Sequence, residues 1–218
     1  MESASKLNAF YKSLYVYFGP QHWWPAKSRL EVMVGAILTQ NTNWSNVEKA
    51  IENLKKHKLL KLSGLYGLSR NKLALLIRSA GYYNVKAKRL KEFLKFLHNH
   101  YQGSPTKMLN KGTYKLRKQL LSVNGIGPET ADSILLYALD KAIFVVDAYT
   151  KRVLSRHYLI KEDDTYTQVQ NLFMQNLKNE VKLFNEYHAL FVRLGKDICC
   201  KSKPKCTICP LRNYSHKI

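Results

Sequence analysis

Along most of this chain apolar residues return every three or four positions, the spacing that places them on one face of an α-helix. Val47, Ala50, Ile51 and Leu54 share such a face, as do Leu73, Leu76, Ile77 and Ala80. Leu90, Phe93, Leu94 and Leu97 form another stripe, followed by Ala131, Ile134, Leu135 and Ala138. Val169, Leu172, Phe173, Asn176 and Leu177 form one with a single polar member, and Met33 to Leu38 is apolar on every side, which predicts a centrally buried helix. No stretch alternates convincingly at period two, so the pattern predicts an all-α fold. Breaks fall at Gly19-Pro20, around Gly64 to Gly67, at Gly81, at Gly103-Ser104-Pro105 and at Gly125-Ile126-Gly127-Pro128.

The last of these breaks carries chemistry. Two glycines permit a tight turn with positive φ, Ile126 can plug the core between the flanking helices, and backbone N–H groups are left over at the next helix start. Such amides form an anion site that needs no base sequence. A lone G-x-G also fits an ordinary link between helices, so its surroundings decide. Charge favours the anion: 36 Lys and Arg stand against 15 Asp and Glu, a net charge of +21 and a pI near 9.8. That excess concentrates a polyanion and supports sequence-independent phosphate contacts. A hydrophobic fraction of 45% over 218 residues argues against disorder. A membrane surface is the other partner for a basic chain, but no lipidation signal and no long apolar run supports it. MESASKLNAFYKS lacks the apolar stretch of a signal peptide, which predicts a cytoplasmic, nucleoid-associated protein. All four cysteines lie between Cys199 and Cys209, and clustered thiols in an intracellular chain point to metal or cluster ligands before disulfides.

From Val123 the sequence runs Val-Asn-Gly-Ile-Gly-Pro-Glu-Thr-Ala, and from Val146 it runs Val-Asp-Ala-Tyr-Thr-Lys-Arg-Val. Together these segments resemble the helix–hairpin–helix DNA glycosylases of the endonuclease III family. Ile37-Leu38-Thr39-Gln40-Asn41-Thr42, Gly81 to Lys88 and the cysteines extend the likeness over roughly residues 25 to 215. The resemblance implies a six-helix module over about residues 26–135. It implies a second helical module from residues 1–25 and 136–218, with a cleft between the two for an extruded base. It also implies a monomer whose partner is double-stranded DNA containing a damaged base.

Several residues take roles from that resemblance. Asp147 is the expected catalytic carboxylate, stabilising positive charge on the sugar as the glycosidic bond breaks; as a residue, it equally suits capping of the next helix. Glu129 stands where strand-cutting relatives carry a lysine that forms a Schiff base with the sugar, and a carboxylate cannot form that imine. Hydrolysis by water with no lyase step is therefore expected. Gly35 and Ala36 occupy the vicinity in which adenine-mismatch enzymes place a proton-donating glutamate, which favours purines that leave without protonation, such as N3-methyladenine and N7-methylguanine. Trp23, Trp24 and Trp44 suit stacking on a flat cationic purine, although any one of them can equally be core.

Gln40 and Asn41 match the segment that fills the gap left by the target nucleotide. Gly125, Ile126, Gly127 and Thr130 form the phosphate hairpin, and Lys86, Lys88 and Arg89 suit either phosphate or a solvated face. Cys199, Cys206 and Cys209 reproduce three ligands of the family's iron–sulfur motif, with Ser215 at the fourth position. A 4Fe–4S cluster then needs Cys200, Ser215 or His216 as its last ligand, while His216 also offers a Cys3His zinc site and an absent metal is the third alternative. Lys201, Lys203 and Lys205 would present that loop to the DNA backbone. Competing readings are a bifunctional glycosylase and lyase for oxidised pyrimidines, and a non-enzymatic binder of damaged DNA.

Overall fold

The computed structural model describes residues 2–217, and among them all regular structure is helical. In chain order the α-helices are α1 (Glu2–Phe18), α2 (Arg29–Leu38), α3 (Trp44–Lys56), α4 (Leu62–Gly67), α5 (Arg70–Leu76) and α6 (Tyr83–Tyr101). They continue with α7 (Thr113–Leu121), α8 (Pro128–Ser133), α9 (Ala148–Arg156), α10 (Tyr166–Asn176) and α11 (Val181–Asp197). The chain divides into two compact units: Trp24–Lys141, here the central unit, and Met1–Trp23 with Ala142–Ile218, the terminal unit.

In the central unit α2 is the core helix, with every residue from Val32 to Leu38 buried. It packs against α3, α6 and a π-helical stretch, Ile134–Ala138, that prolongs α8. Its start is fixed twice. Ser28 Oγ accepts the Glu31 N–H, and Glu31 reaches back to the Lys27 N–H while pairing with Lys55 at 2.5 Å. The Ser28 cap satisfies a donor that the helix start leaves over and contributes about 1 kcal/mol, while Glu31 ties down the segment before the cap. Lys86 is 1% exposed and donates to the Ala80 carbonyl at 2.6 Å. Burial, with Arg89 nearby, pushes its pKa down to about 8. It ties the start of α6 to the preceding turn and is not a phosphate contact, a correction to the solvated role its sequence suggested.

The terminal unit is built on aromatic packing. Phe144 stacks on Phe173 with centroids 3.6 Å apart, and Phe184, Tyr187 and Phe191 close around them. Each well-placed ring pair adds about 0.5–1.5 kcal/mol beyond its area. Tyr187 is fully buried, and its hydroxyl donates to the Leu7 carbonyl at 2.8 Å, which pins α1 to α11. Among the described residues no helix is long and apolar enough to cross a membrane.

Candidate functional site

The hairpin lies between α7 and α8. Gly125 takes φ +87, and a Cβ there would run into the Arg89 side chain, so both the turn and the close approach require glycine. Ile126 is buried as its plug, and its N–H closes the turn on the Val123 carbonyl at 3.0 Å. Among the described residues the Gly125 and Gly127 N–H groups donate to no protein acceptor. The turn's carbonyl side is braced instead. Gln40 Nε2 donates to the Gly125 carbonyl and to Thr130 Oγ1, both at 2.9 Å, while Arg89 donates to Gln40 Oε1 at 2.5 Å. Below the turn, Arg117 grips the fully buried Asp132 with two bonds, 2.7 and 3.0 Å, joining α7 to α8. Such bidentate pairs fix orientation as well as energy. Sequence reading missed both Arg89 as a brace and the Arg117–Asp132 pair.

Gln40 is thus fully committed inside the protein. Asn41, next to it, is exposed at φ 52. Tyr82, which opens the helix carrying Arg89, is 73% exposed at φ 45. A bulky residue in left-handed backbone is uncommon and costs of order 1–3 kcal/mol, so such positions mark candidate functional sites. The Gly81-Tyr82 step was the sequence signal for it. Glu129 is exposed in the first turn of α8.

The structure brings Trp24 and Trp44 together. Trp24 meets Trp44 edge-on at 5.2 Å and Tyr137 at 5.3 Å, all in the central unit. Gly35 makes this possible, because a Cβ there would lie 3.1 Å from the Trp24 ring. An acidic side chain at position 35 would displace the indole. Tyr137 belongs to the π-helical stretch and escaped the periodicity argument, which assumes 3.6 residues per turn; π-turns often mark functional sites. Trp23 is half-buried in the terminal unit.

Asp147 ends the buried extended run Ile143 to Val146. Among the described residues that run has no strand partner, and α10 supplies polar contacts to it. Gln170 donates to the Phe144 carbonyl at 2.6 Å, while the Phe144 and Val146 amides donate to Met174 Sδ and the Tyr166 hydroxyl oxygen. Asp147 then caps α9, with Oδ1 accepting the Thr150 N–H at 2.7 Å. Its Oδ2 lies 3.5 Å from His188 Nε2 on α11. The residue is 9% exposed. Burial alone would raise its pKa, but His188 at ion-pair distance, with the Thr150 bonds, wins and holds it below the usual carboxylate value. His188 was missed, since a lone histidine among Phe184, Tyr187 and Phe191 reads from sequence as core.

Cys199, Cys206, Cys209 and His216 line one recess, whereas Cys200 and Ser215 lie outside it. Cys200 Sγ faces the Lys196 carbonyl and Cys199 Sγ accepts from Arg156 at 3.1 Å. Among the described residues no three His, Cys, Asp or Glu side chains are placed to hold a metal ion. With the fourth thiolate replaced by Ser215, this donor set does not fit the cluster the resemblance implies. Two arginines of α9 shape the loop instead. Arg152 donates to the Cys199 and Gly195 carbonyls, and Arg156 to those of Cys200 and Lys201. Lys201 shares an open basic recess of about 490 Å³ with Lys151, Arg152, Arg156, Lys161 and Lys217, and Lys203 and Lys205 are exposed beside the cysteines.

The family model described as HhH-GPD superfamily base excision DNA repair protein matches residues 34–179. A Methanocaldococcus jannaschii protein, provisionally named a DNA repair glycosylase, is 51% identical over 206 residues, 94% of this chain and 93% of that one. Endonuclease III of Rickettsia conorii is 29% identical over 86% of this chain and 84% of its own. Among solved structures, the 3-methyladenine DNA glycosylase of H. pylori bound to 1,N6-ethenoadenine matches with a TM-score of 0.76 at 31% identity, over 89% of this chain and 97% of that one. An endonuclease III–DNA complex shares the fold, with a TM-score of 0.84 at 20% identity over 97% and 94% of the two chains. This chain therefore belongs to the HhH-GPD superfamily of base excision DNA repair proteins, as a DNA glycosylase of the endonuclease III family.

Proposed function

We propose that this glycosylase is monofunctional and removes alkylated purines, of the 3-methyladenine and 7-methylguanine type, from double-stranded DNA by hydrolysis. The observation that carries the substrate class is the aromatic group on Gly35. Trp24, Trp44 and Tyr137 offer electron-rich rings, and the Trp24 indole fills the space over Gly35 that an acidic side chain would need. A cationic purine gains about 0.5–2 kcal/mol from each suitable ring face and leaves without being protonated. The name of the H. pylori relative agrees with this class.

Glu129 supports the reaction type, because no amine stands at that position to form a Schiff base. In the proposed step the C1′–N bond breaks and its electron pair leaves with the cationic purine, which departs neutral. Water oxygen bonds to C1′, its proton passes to Asp147 or solvent, and the ionised carboxylate stabilises the positive sugar between these events. The hairpin amides and the lysines at 201, 203 and 205 hold phosphate without reading sequence. Since the Gln40 amide is committed to the brace, we assign the space vacated by the flipped nucleotide to Asn41 and Tyr82. No step passes through a metal cluster.

The test is a panel of duplexes containing alkylated purines or thymine glycol, with released bases identified by chromatography and borohydride added to trap imines. Release of methylated purines, an unbroken strand and no trapped adduct are expected. Strand scission at thymine glycol with a trapped adduct would replace this reading with the bifunctional one. Tight binding with no base released from any duplex would leave a damaged-DNA binder.

A further inference from the structure

We infer that His188 is a positioning residue for the reaction, holding Oδ2 of Asp147 and keeping that carboxylate ionised inside the protein. The inference rests on the catalytic reading of Asp147. Its physical basis is the placement of the pair. Asp147 is held in a largely enclosed place: Oδ1 accepts the Thr150 N–H, the backbone before it is bound by α10, and only 11% of its side chain is exposed. A carboxylate so enclosed takes up a proton unless a partner offsets the lost hydration.

His188 is that partner. Its side chain is 8% exposed, it sits on α11 between the stacked Tyr187 and Phe191, and its Nε2 lies within ion-pair range of Oδ2 at 3.5 Å. Of the elements packed on α11, α9 presents Asp147 to His188, α1 presents Tyr11 and Leu7 to Tyr187, and the segment after α1 presents Gln21 to Glu186. Asp147 is thus a carboxylate that His188 meets within ion-pair distance. The direction of the Asp147 pKa agrees, because burial pushes it up and His188 brings it down. Without His188 the burial effect would dominate, and the carboxylate would begin to protonate nearer neutrality.

The experiment compares single-turnover base release by the full chain and by His188→Gln across the acid range, on a methylated duplex. Release by wild type should fall only at low pH. The His188→Gln profile should fall at a pH higher by about one unit or more, the usual size of the effect of one neighbouring charge, with a plateau rate lowered several-fold. An acid limb that stays in place in a variant with wild-type melting behaviour overturns the inference, leaving His188 as packing. Should His188→Gln not fold, His188→Asn and a carboxyl-carbon NMR titration of Asp147 carry the same comparison, with the same outcomes. Asp147→Asn separates the two claims: if it keeps releasing base, the catalytic reading fails, while the NMR titration still reports whether His188 sets the carboxylate.

Discussion

The glycine hairpin and the cysteine loop are both irregular segments shaped by side chains arriving from helices, yet the bracing leaves them with different chemistry. At the hairpin, Gln40 takes the Gly125 carbonyl, Arg117–Asp132 locks the helices beneath, and the Gly125 and Gly127 amides remain available. At the cysteine loop Arg152 and Arg156 take four backbone carbonyls, so protein donors carry the fold around three thiols that share one recess. Backbone carbonyls of an irregular loop can thus be satisfied by side-chain donors from neighbouring helices. One segment presents backbone amides; the other presents a recess of thiols beside exposed lysines.

The largest effect expected from breaking this comparison comes from the arginines. Arg152→Ala with Arg156→Ala removes charge-assisted bonds worth about 1.5–3 kcal/mol each in favourable cases, so thermal unfolding should show a drop of several degrees and the loop should become protease-sensitive. An unchanged melting curve would return the structural role to a metal. Gly125→Ala should be next. It forces a side chain into left-handed backbone and against Arg89, at a cost of about 1–3 kcal/mol, and binding of undamaged duplex should weaken about tenfold in the same salt. Equal binding by the variant would remove the hairpin from the DNA interface.

The third effect is a dependence on pH. His157, buried against Phe10 and hydrogen-bonded through Nδ1 to the Ser215 carbonyl, has its pKa lowered to about 4, chiefly by burial. Its folded pKa lies below the unfolded value of 6.5, so the unfolded chain binds the extra proton first. Stability should be full above about pH 6.5 and decline toward pH 4, and His157→Phe should flatten that slope. Absence of the slope in wild type would mean that His157 is not held neutral. The smallest effect sharpens the contrast. Cys206→Ser should shift the melting temperature little, with a change below about 1 kcal/mol, as surface-like substitutions usually show; iron and zinc analysis and visible absorbance of anaerobic protein should show no stoichiometric metal. A bound cluster, lost in Cys206→Ser along with much of the stability, would erase the difference between the two segments.

The all-α architecture was readable because its stripes have helical period and α2 is apolar on every side, as Met33 to Leu38 announced. The hairpin turn was readable because only glycine takes φ +87 against Arg89 without strain. What sequence could not show are contacts between residues far apart along the chain. Gln40 looked like a free amide because nothing local reveals Gly125 and Thr130, 85 and 90 positions away. His188 went unnoticed because its partner, Asp147, is 41 positions away, and Tyr137 was hidden by a change of helical period. Lys86 read as a phosphate contact or a solvated cation, since burial of a charge is decided by tertiary packing and not by its neighbours in sequence.

Asp147 supplies the chemistry in this account, so the most direct measurement is single-turnover release of 3-methyladenine from methylated duplex by wild type and Asp147→Asn, with duplex affinity measured alongside. The account predicts release by wild type, a rate at least about 100-fold lower in the variant, the scale of losing one preorganised electrostatic group, and affinity unchanged within a few-fold. Comparable release by Asp147→Asn, or none by either protein, would contradict it.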